Sequence, residues 1–130
     1  MTGNDVQEAI VSYLKSKTQI TSLLANAGQV KEAQWQGTSF VYPAVRVSVD
    51  FFPAINGCQD RAEIHIEVFS EQKSSDESST IAGAIQTLLH RKPFTSSGVS
   101  FFMMLVTKVE KPERTIYAWQ TKVLTNTLLT

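Results

Sequence analysis

The sequence predicts an α+β fold: a mainly antiparallel four-stranded sheet of two hairpins, with two helices packed on one face, in the order α-β-β-α-β-β. Three observations carry it. Apolar residues recur every three or four positions in two stretches, one near the N-terminus and one around 76–92. They alternate with polar ones between 44 and 68. Gly, Pro and Asn-Gly signals punctuate these runs, and Pro112 divides the last apolar segment into two strands. With 130 residues and 42% hydrophobic content, the chain suits one domain over 1–130 with a buried core.

The first helical stretch covers 4–24 in two pieces. Asn4 or Asp5 can cap it, Glu8 follows within the first turn, and Val6, Ile10, Tyr13 and Leu14 share one face. Lys15 and Lys17 suit the negative end of the helix dipole. Thr18 restarts a short helix with Ile20, Leu23 and Leu24, and Ala27-Gly28 ends it. Residues 29–42 show no clear period, although Val30 fits a short extended stretch. Pro43 pushes Tyr42 toward extended geometry.

From 44 the period becomes two. Val45, Val47, Val49 and Phe51 alternate with Arg46, Ser48 and Asp50, a half-buried strand. FPAINGCQD, residues 52–60, turns the chain. Ala62, Ile64, Ile66 and Val68 then alternate with Arg61, Glu63, His65 and Glu67, which completes a long-looped hairpin. Ser74-Ser75-Asp76-Glu77 fits a capping box that opens the second helix, whose apolar stripe is Ile81, Ile85, Leu88 and Leu89. The small residues Ala82, Gly83 and Ala84 allow a close approach to the sheet, and Pro93 stops the helix after His90, Arg91 and Lys92.

The run Val99 to Glu110 has apolar side chains on both faces: Phe101, Met103 and Leu105 on one, Phe102, Met104 and Val106 on the other. Lys111 to Arg114 turns the chain. Thr115 to Asn126 is the partner strand, with Tyr117, Trp119 and Val123 on one face and Ile116, Ala118 and Leu124 on the other.

Charge excludes some functions. Lys plus Arg and Asp plus Glu are 12 each, and the halves are balanced: 5 basic and 6 acidic residues in 1–65, 7 and 6 in 66–130. No basic field gathers phosphates, which argues against a nucleic-acid binder. Only 18% of residues are charged, while Ser and Thr number 13 each, so the surface has little self-repulsion and tolerates association. No run reaches the ~18 apolar residues of a membrane span, and the first residues lack the basic-then-apolar pattern of a signal peptide.

Catalytic and metal signatures are missing. The one cysteine, Cys58, has no partner for an intrachain disulfide, and no signature places His65 or His90 beside it as a base. His65 reads as an exposed cross-strand partner and His90 as a cap at a helix C-terminus, neither with zinc-ligand spacing. Asp50 and Asp60 bracket the first hairpin loop, where they can face each other or cap the turn ends. The sequence therefore predicts no enzyme, no metal and no cofactor.

The apolar excess is more informative. Phe52, Pro53 and Ile55 run through the first hairpin loop, and Phe102, Met104, Tyr117 and Trp119 exceed what two helices can cover. These seven residues are the predicted interface, with other copies of the chain or with another protein of the assembly, made through sheet edges or faces and the projecting loop. Two alternatives stay open: Phe52 and Ile55 fold back to cap the core, or the surplus strand surface meets a small second core around Trp35 and Phe40.

The linear layout resembles the tail completion and tail terminator proteins of long-tailed bacteriophages. The features that carry the resemblance are the amphipathic first helix ending in Thr18, Ile20, Leu23 and Leu24; the strand entry Tyr42-Pro43-Ala44-Val45-Arg46-Val47; the strand end Ile66-Glu67-Val68-Phe69-Ser70; and a polar gap before a helix with Ile81, Ala82, Ile85 and Leu88. It covers roughly residues 6–126. The first hairpin loop, long and apolar, and the polar segment 30–42 depart from the family's pattern. The resemblance implies a structural virion protein, assembled in the host cytoplasm, that forms a ring, typically a hexamer, at the head-proximal end of the tail tube. Such a ring ends tube polymerisation and docks to the head. Its partners would be other copies of itself, the tail tube protein and a head–tail connector or neck protein, with DNA only passing through the lumen. A head-closure or connector ring is the nearest alternative, and a small cytoplasmic ligand-binding domain or enzyme a more distant one.

Overall fold

The computed structural model describes residues 1–32, 41–54 and 59–129. Helix α1 spans Gly3–Ser16 and a four-residue helix α2 spans Thr18–Thr21. A turn of 3-10 helix at Ala27–Gln29 leads into β1, Val30–Glu32. Strands β2 (Ala44–Phe52) and β3 (Asp60–Ser70) form the first hairpin, followed by α3 (Asp76–Leu89). Strands β4 (Phe94–Ser96), β5 (Val99–Val109), β6 (Glu113–Arg114) and β7 (Trp119–Leu129) complete the chain.

The strands form one seven-stranded mixed sheet in the order β1-β2-β3-β7-β5-β4, with β6 paired to β7. β1 runs parallel to β2, and the other pairs are antiparallel. This corrects the expected four-stranded antiparallel sheet with two helices in the order α-β-β-α-β-β: the described residues form seven strands and three α-helices, with one parallel pair. The three additional strands are two or three residues long, too short to display a period of two; only β1 falls where a short extended stretch was expected, at Val30. The parallel partner of β1 is also distant in sequence, so no hairpin signal announces it.

β3 and β7 occupy the centre, paired in unbroken register from Asp60↔Leu129 to Ser70↔Trp119. Their alternation sends Ile64, Ile66, Val68 and Val123 to one side, where they meet Val45 and Val47 of β2 and Phe101 and Met104 of β5. Helices α1 and α3 cover this side with Val6, Ile10, Leu14, Ile81, Ile85 and Leu89. Each such side chain contributes roughly 1.5–3 kcal/mol through burial. The stacked rings of Tyr13, Phe94 and Phe101 fasten α1 to β4 and β5, with centroids 3.7 and 4.7 Å apart.

Polar groups on the covered face are satisfied. Thr121 Oγ1 lies 2.9 Å from Ser78 Oγ of α3, Thr125 Oγ1 donates to the Ile64 carbonyl, and Ser96 Oγ donates to the Ala9 carbonyl. Buried hydroxyls of this kind are tolerated because each has a partner.

The helix ends differ from expectation. Thr2, rather than Asn4 or Asp5, caps α1. Its hydroxyl accepts from the Asp5 N–H at 3.3 Å, while the Asp5 carboxylate accepts from the Thr2 N–H at 2.7 Å, a reciprocal capping box. The Thr2 N–H, and after it the Thr2 hydroxyl, hold the Asp5 carboxyl below its ordinary pKa. Its stabilising contribution is thus present above the ordinary carboxylate pKa and fades as the pH falls through the lowered one. At α3 the expected box does not form. The N-cap residue is Ser75 with no side-chain cap bond, and Glu77 reaches back to Ser70 Oγ and Gln72 Nε2 instead.

Gly83 lies inside α3, and a Cβ placed on it would meet nothing within 4 Å. The residue is therefore not required for close approach to the sheet, contrary to the expectation from its small neighbours. Gly83→Ala should raise unfolding free energy in urea by about 0.5–1 kcal/mol, since the helix gains propensity without a clash. A loss of stability would show that the space beside α3 is not open.

Candidate assembly surface

The second side of the sheet has no helix over it among the described residues. Along β2 and β3 it carries charge, and around Phe102, Met103 and Leu105 of β5 with Leu124 and Leu128 of β7 it turns apolar. Asp50 and Glu63 are directly opposed across β2 and β3, with His65 on the same face two residues from Glu63. His65 Nε2 lies 3.7 Å from the Asp50 carboxylate. Asp50, Glu63 and His65 each place one donor atom within 4.8 Å of the others, the one such group among the described residues. Asp50 and Glu63 are like charges directly across the strand pair, and the His65 imidazole lies beside them. His65 is thus the cross-strand partner the sequence suggested. Asp60 does not face Asp50; it caps the turn, accepting the Ala54 N–H at 2.6 Å.

The apolar half depends on an irregularity in β5. Phe102 pairs with Leu128 and Leu105 with Asn126, so β5 spends one more residue than β7 over this interval. The bulge centres on Met103, whose backbone is left-handed at φ 47°. The extra residue shifts the alternation. Phe101 and Met104 enter the core, whereas Phe102, Met103 and Leu105 face out, Met103 with 64% of its surface exposed. The sequence-based assignment of Phe101, Met103 and Leu105 to one face, and of Phe102, Met104 and Val106 to the other, fails for this reason. Met104 is completely buried and cannot touch another subunit.

Beside the bulge lies a dent of about 180 Å³, lined by Arg61, Met103, Leu105, Asn126, Thr127 and Leu128. Small-molecule sites usually occupy ~300–1,000 Å³, so this hollow is on the scale of a side chain or two. Arg61 stands at its rim with its guanidinium 4.4 Å from the centre of the Phe52 ring.

A second apolar feature sits at the far end of β7. Between β6 and β7, Thr115 and Ala118 close a turn by three bonds: the Thr115 N–H and Oγ1 both reach the Ala118 carbonyl, at 2.8 and 2.7 Å, and the Ala118 N–H reaches Thr115 Oγ1 at 3.1 Å. Ile116 and Tyr117 sit at its tip, 86% and 77% exposed. Residues 115–118 thus form a turn rather than the start of a strand.

The seven predicted contact residues separate accordingly. Phe52, Pro53, Phe102 and Tyr117 are exposed. Trp119 is half-buried, with its indole N–H directed at the Lys73 carbonyl at 3.4 Å. Ile55, Cys58, Trp35 and Phe40 fall outside the described residues. Sequence reasoning missed Met103, Leu105 and Leu128 as surface residues. On β5 the surplus of apolar residues was visible, but which ones point outward depends on the bulge; Leu128 lies beyond Asn126, where the expected last strand ended, while β7 runs on to Leu129.

The edge of β5 is occupied where α3 ends. The Arg91 N–H donates to the Met104 carbonyl at 2.7 Å, and the Val106 N–H donates to His90 Nδ1 at 3.0 Å. His90 does close the helix, and it also serves the neighbouring strand. Addition of a further strand at positions 104 and 106 is blocked by these bonds.

No protein-family model matches the chain, and no curated protein matches it by sequence. Solved structures do match its fold. A chain of the virion of a native gene transfer agent particle superposes with a TM-score of 0.75, covering 95% of this chain and 93% of that one at 14% identity. A second solved structure, whose name states no function, superposes with a TM-score of 0.66 over 100% and 96% of the two chains, also at 14% identity. At this identity the likeness is one of fold.

The left-handed backbone at Met103 makes a direct prediction. Glycine adopts this conformation freely, while a β-branched residue does not. Met103→Gly should leave the protein as stable or more stable by up to about 1 kcal/mol, and Met103→Val should cost roughly 1–3 kcal/mol, both read by urea unfolding. Equal stability of the two variants would mean that Met103 is not held left-handed in solution.

Proposed function

We propose that this chain is a structural virion protein and, within that class, a tail terminator: a subunit of a ring at the head-proximal end of the tail tube. The observation that carries the reading is the fold shared with a gene transfer agent virion chain over nearly the full length of both. The layout of helices and strands that resembles the tail terminator family supports the finer assignment. Balanced charge and exposed apolar residues at Phe52, Phe102, Met103, Ile116 and Tyr117 suit a subunit that buries surface against neighbours. The role requires no catalysis and no cofactor. Its partners are further copies, the tail tube protein and a neck protein on the head side, and its place is the tail or neck of the virion.

The test is reconstitution. The purified chain mixed with growing tail tubes should stop their elongation and appear in electron micrographs as a ring on one end. Binding to filled heads without any effect on tubes would assign it to a head-closure or connector ring instead. Phe52→Asp tests the first hairpin as the tube contact. Phe52 is already exposed and loses mainly its stacking with Arg61, so the variant should melt within about 1 kcal/mol of the wild type yet fail to cap tubes. Normal capping by a normally melting variant would remove Phe52 from the contact.

A further inference from the structure

We infer that subunits join head to tail by seating the Ile116–Tyr117 tip of one copy in the Met103–Leu128 dent of the next. The inference rests on the ring reading and supplies its contact. The tip and the dent lie at opposite ends of β7, nine residues apart from Trp119 to Leu128, or about 30 Å at the rise of a strand. β7 is paired along its whole length, to β3 on one side and to β5 and β6 on the other, so the chain cannot fold its own tip into its own dent. A second copy can.

The two features match in kind. The tip presents two large apolar side chains on a turn closed by three hydrogen bonds, so the backbone that carries them has little conformational freedom to lose on docking. The dent is apolar within and polar at its rim, and its size suits a side chain rather than a metabolite. Glu113 is opposite Gln120, on the same open face as the dent, while Arg114 is opposite Trp119 and belongs to the other face. The tip thus has a carboxylate near it and the dent has Arg61 at its rim, opposite charges on the two patches, and the Tyr117 ring is a natural partner for a guanidinium. An interaction between two different patches of one chain is heterologous. It propagates from copy to copy and closes into a ring when the rotation per step divides the circle.

A mixing experiment tests it. Ile116→Asp/Tyr117→Asp removes the tip, and Met103→Asp/Leu105→Asp removes the dent. All four positions are exposed, and Asp is among the residues that accept a left-handed backbone. Circular dichroism and thermal melts establish that both variants fold. Each alone should lose self-association by roughly 100-fold or more in apparent Kd, measured by light scattering and native mass spectrometry. Mixed one to one, they should form a heterodimer and nothing larger, because one intact dent meets one intact tip and both remaining surfaces are dead.

If the wild type assembles while either variant assembles equally well, or the mixture stays monomeric, the contact is overturned and the ring reading stands. If the wild type is monomeric even at millimolar concentration, the variants are scored on tube ends. Wild-type rings absent from both variants support the contact, and rings formed by either variant overturn it. Tip variants that lose tube binding while their subunits still form rings would assign the tip to the tube protein and overturn the contact. Absence of wild-type rings in solution and on tubes overturns both the contact and the terminator reading.

Discussion

The eleven-residue ladder between β3 and β7 is the constraint on which the other elements depend. Both strands are central, so each must present one face to the helices and the other outward along its full length. A slip of β3 by one residue against β7 would carry Ile64, Ile66 and Val68 out of the core and bring Glu63, His65 and Glu67 into it. That penalty fixes the register. Once it is fixed, β2 and β5 dock on either side, α1 and α3 find a continuous apolar floor, and the outer face acquires its division into charged and apolar halves.

β5 departs from this regularity, and its surroundings hold the departure in place. The Phe102 carbonyl before the bulge accepts from Thr127 Oγ1 at 2.8 Å, the Met104 carbonyl after it from the Arg91 N–H, and the Val106 N–H is taken by His90. A left-handed Met costs on the order of 1–3 kcal/mol and survives only where neighbouring bonds over-determine it. These three bonds, from β7 and the end of α3, do so. Strain is thereby confined to the residue that opens the dent, while Met104 still fills the core on the next position.

How much of this was legible follows from what generates a period. The alternation in 44–51 and 61–68 and the stripe Ile81, Ile85, Leu88 and Leu89 mark buried faces that exist in the structure, because each is a local consequence of one covered side. The short strands β1, β4 and β6 leave no such imprint. The doubly apolar run 99–106 was visible as an anomaly, yet a bulge resets phase without changing composition, so Met104 was assigned outward and Met103 grouped with Phe101. Likewise Thr121, Thr125 and Thr127 share the inner face of β7 with Val123 and lie buried with hydroxyls bonded, so this face carries little of the apolar alternation that marks β3. Capping was misplaced at both helices for a related reason: Thr2 and Ser75 stand near Asn, Asp and Ser residues of equal or better capping ability, so composition alone does not select the N-cap.

A contact built from one tip and one dent has consequences that a symmetric patch would not. Each copy would contribute one donor surface and one acceptor surface, so an open chain of subunits ends with both kinds unsatisfied. Closing the ring buries that last pair without immobilising another molecule, and the final contact forms at the high effective concentration of a tethered partner. A single 180 Å³ dent filled by one turn offers modest affinity by itself, because much of the gain is offset by the lost freedom of association. Weak pairing and favourable closure together suit a subunit that must stay dispersed until a template fixes its neighbours side by side. The low charge and abundant hydroxyls of this chain leave little repulsion to oppose that step, and the backbone of its tip has little entropy left to lose when it occurs.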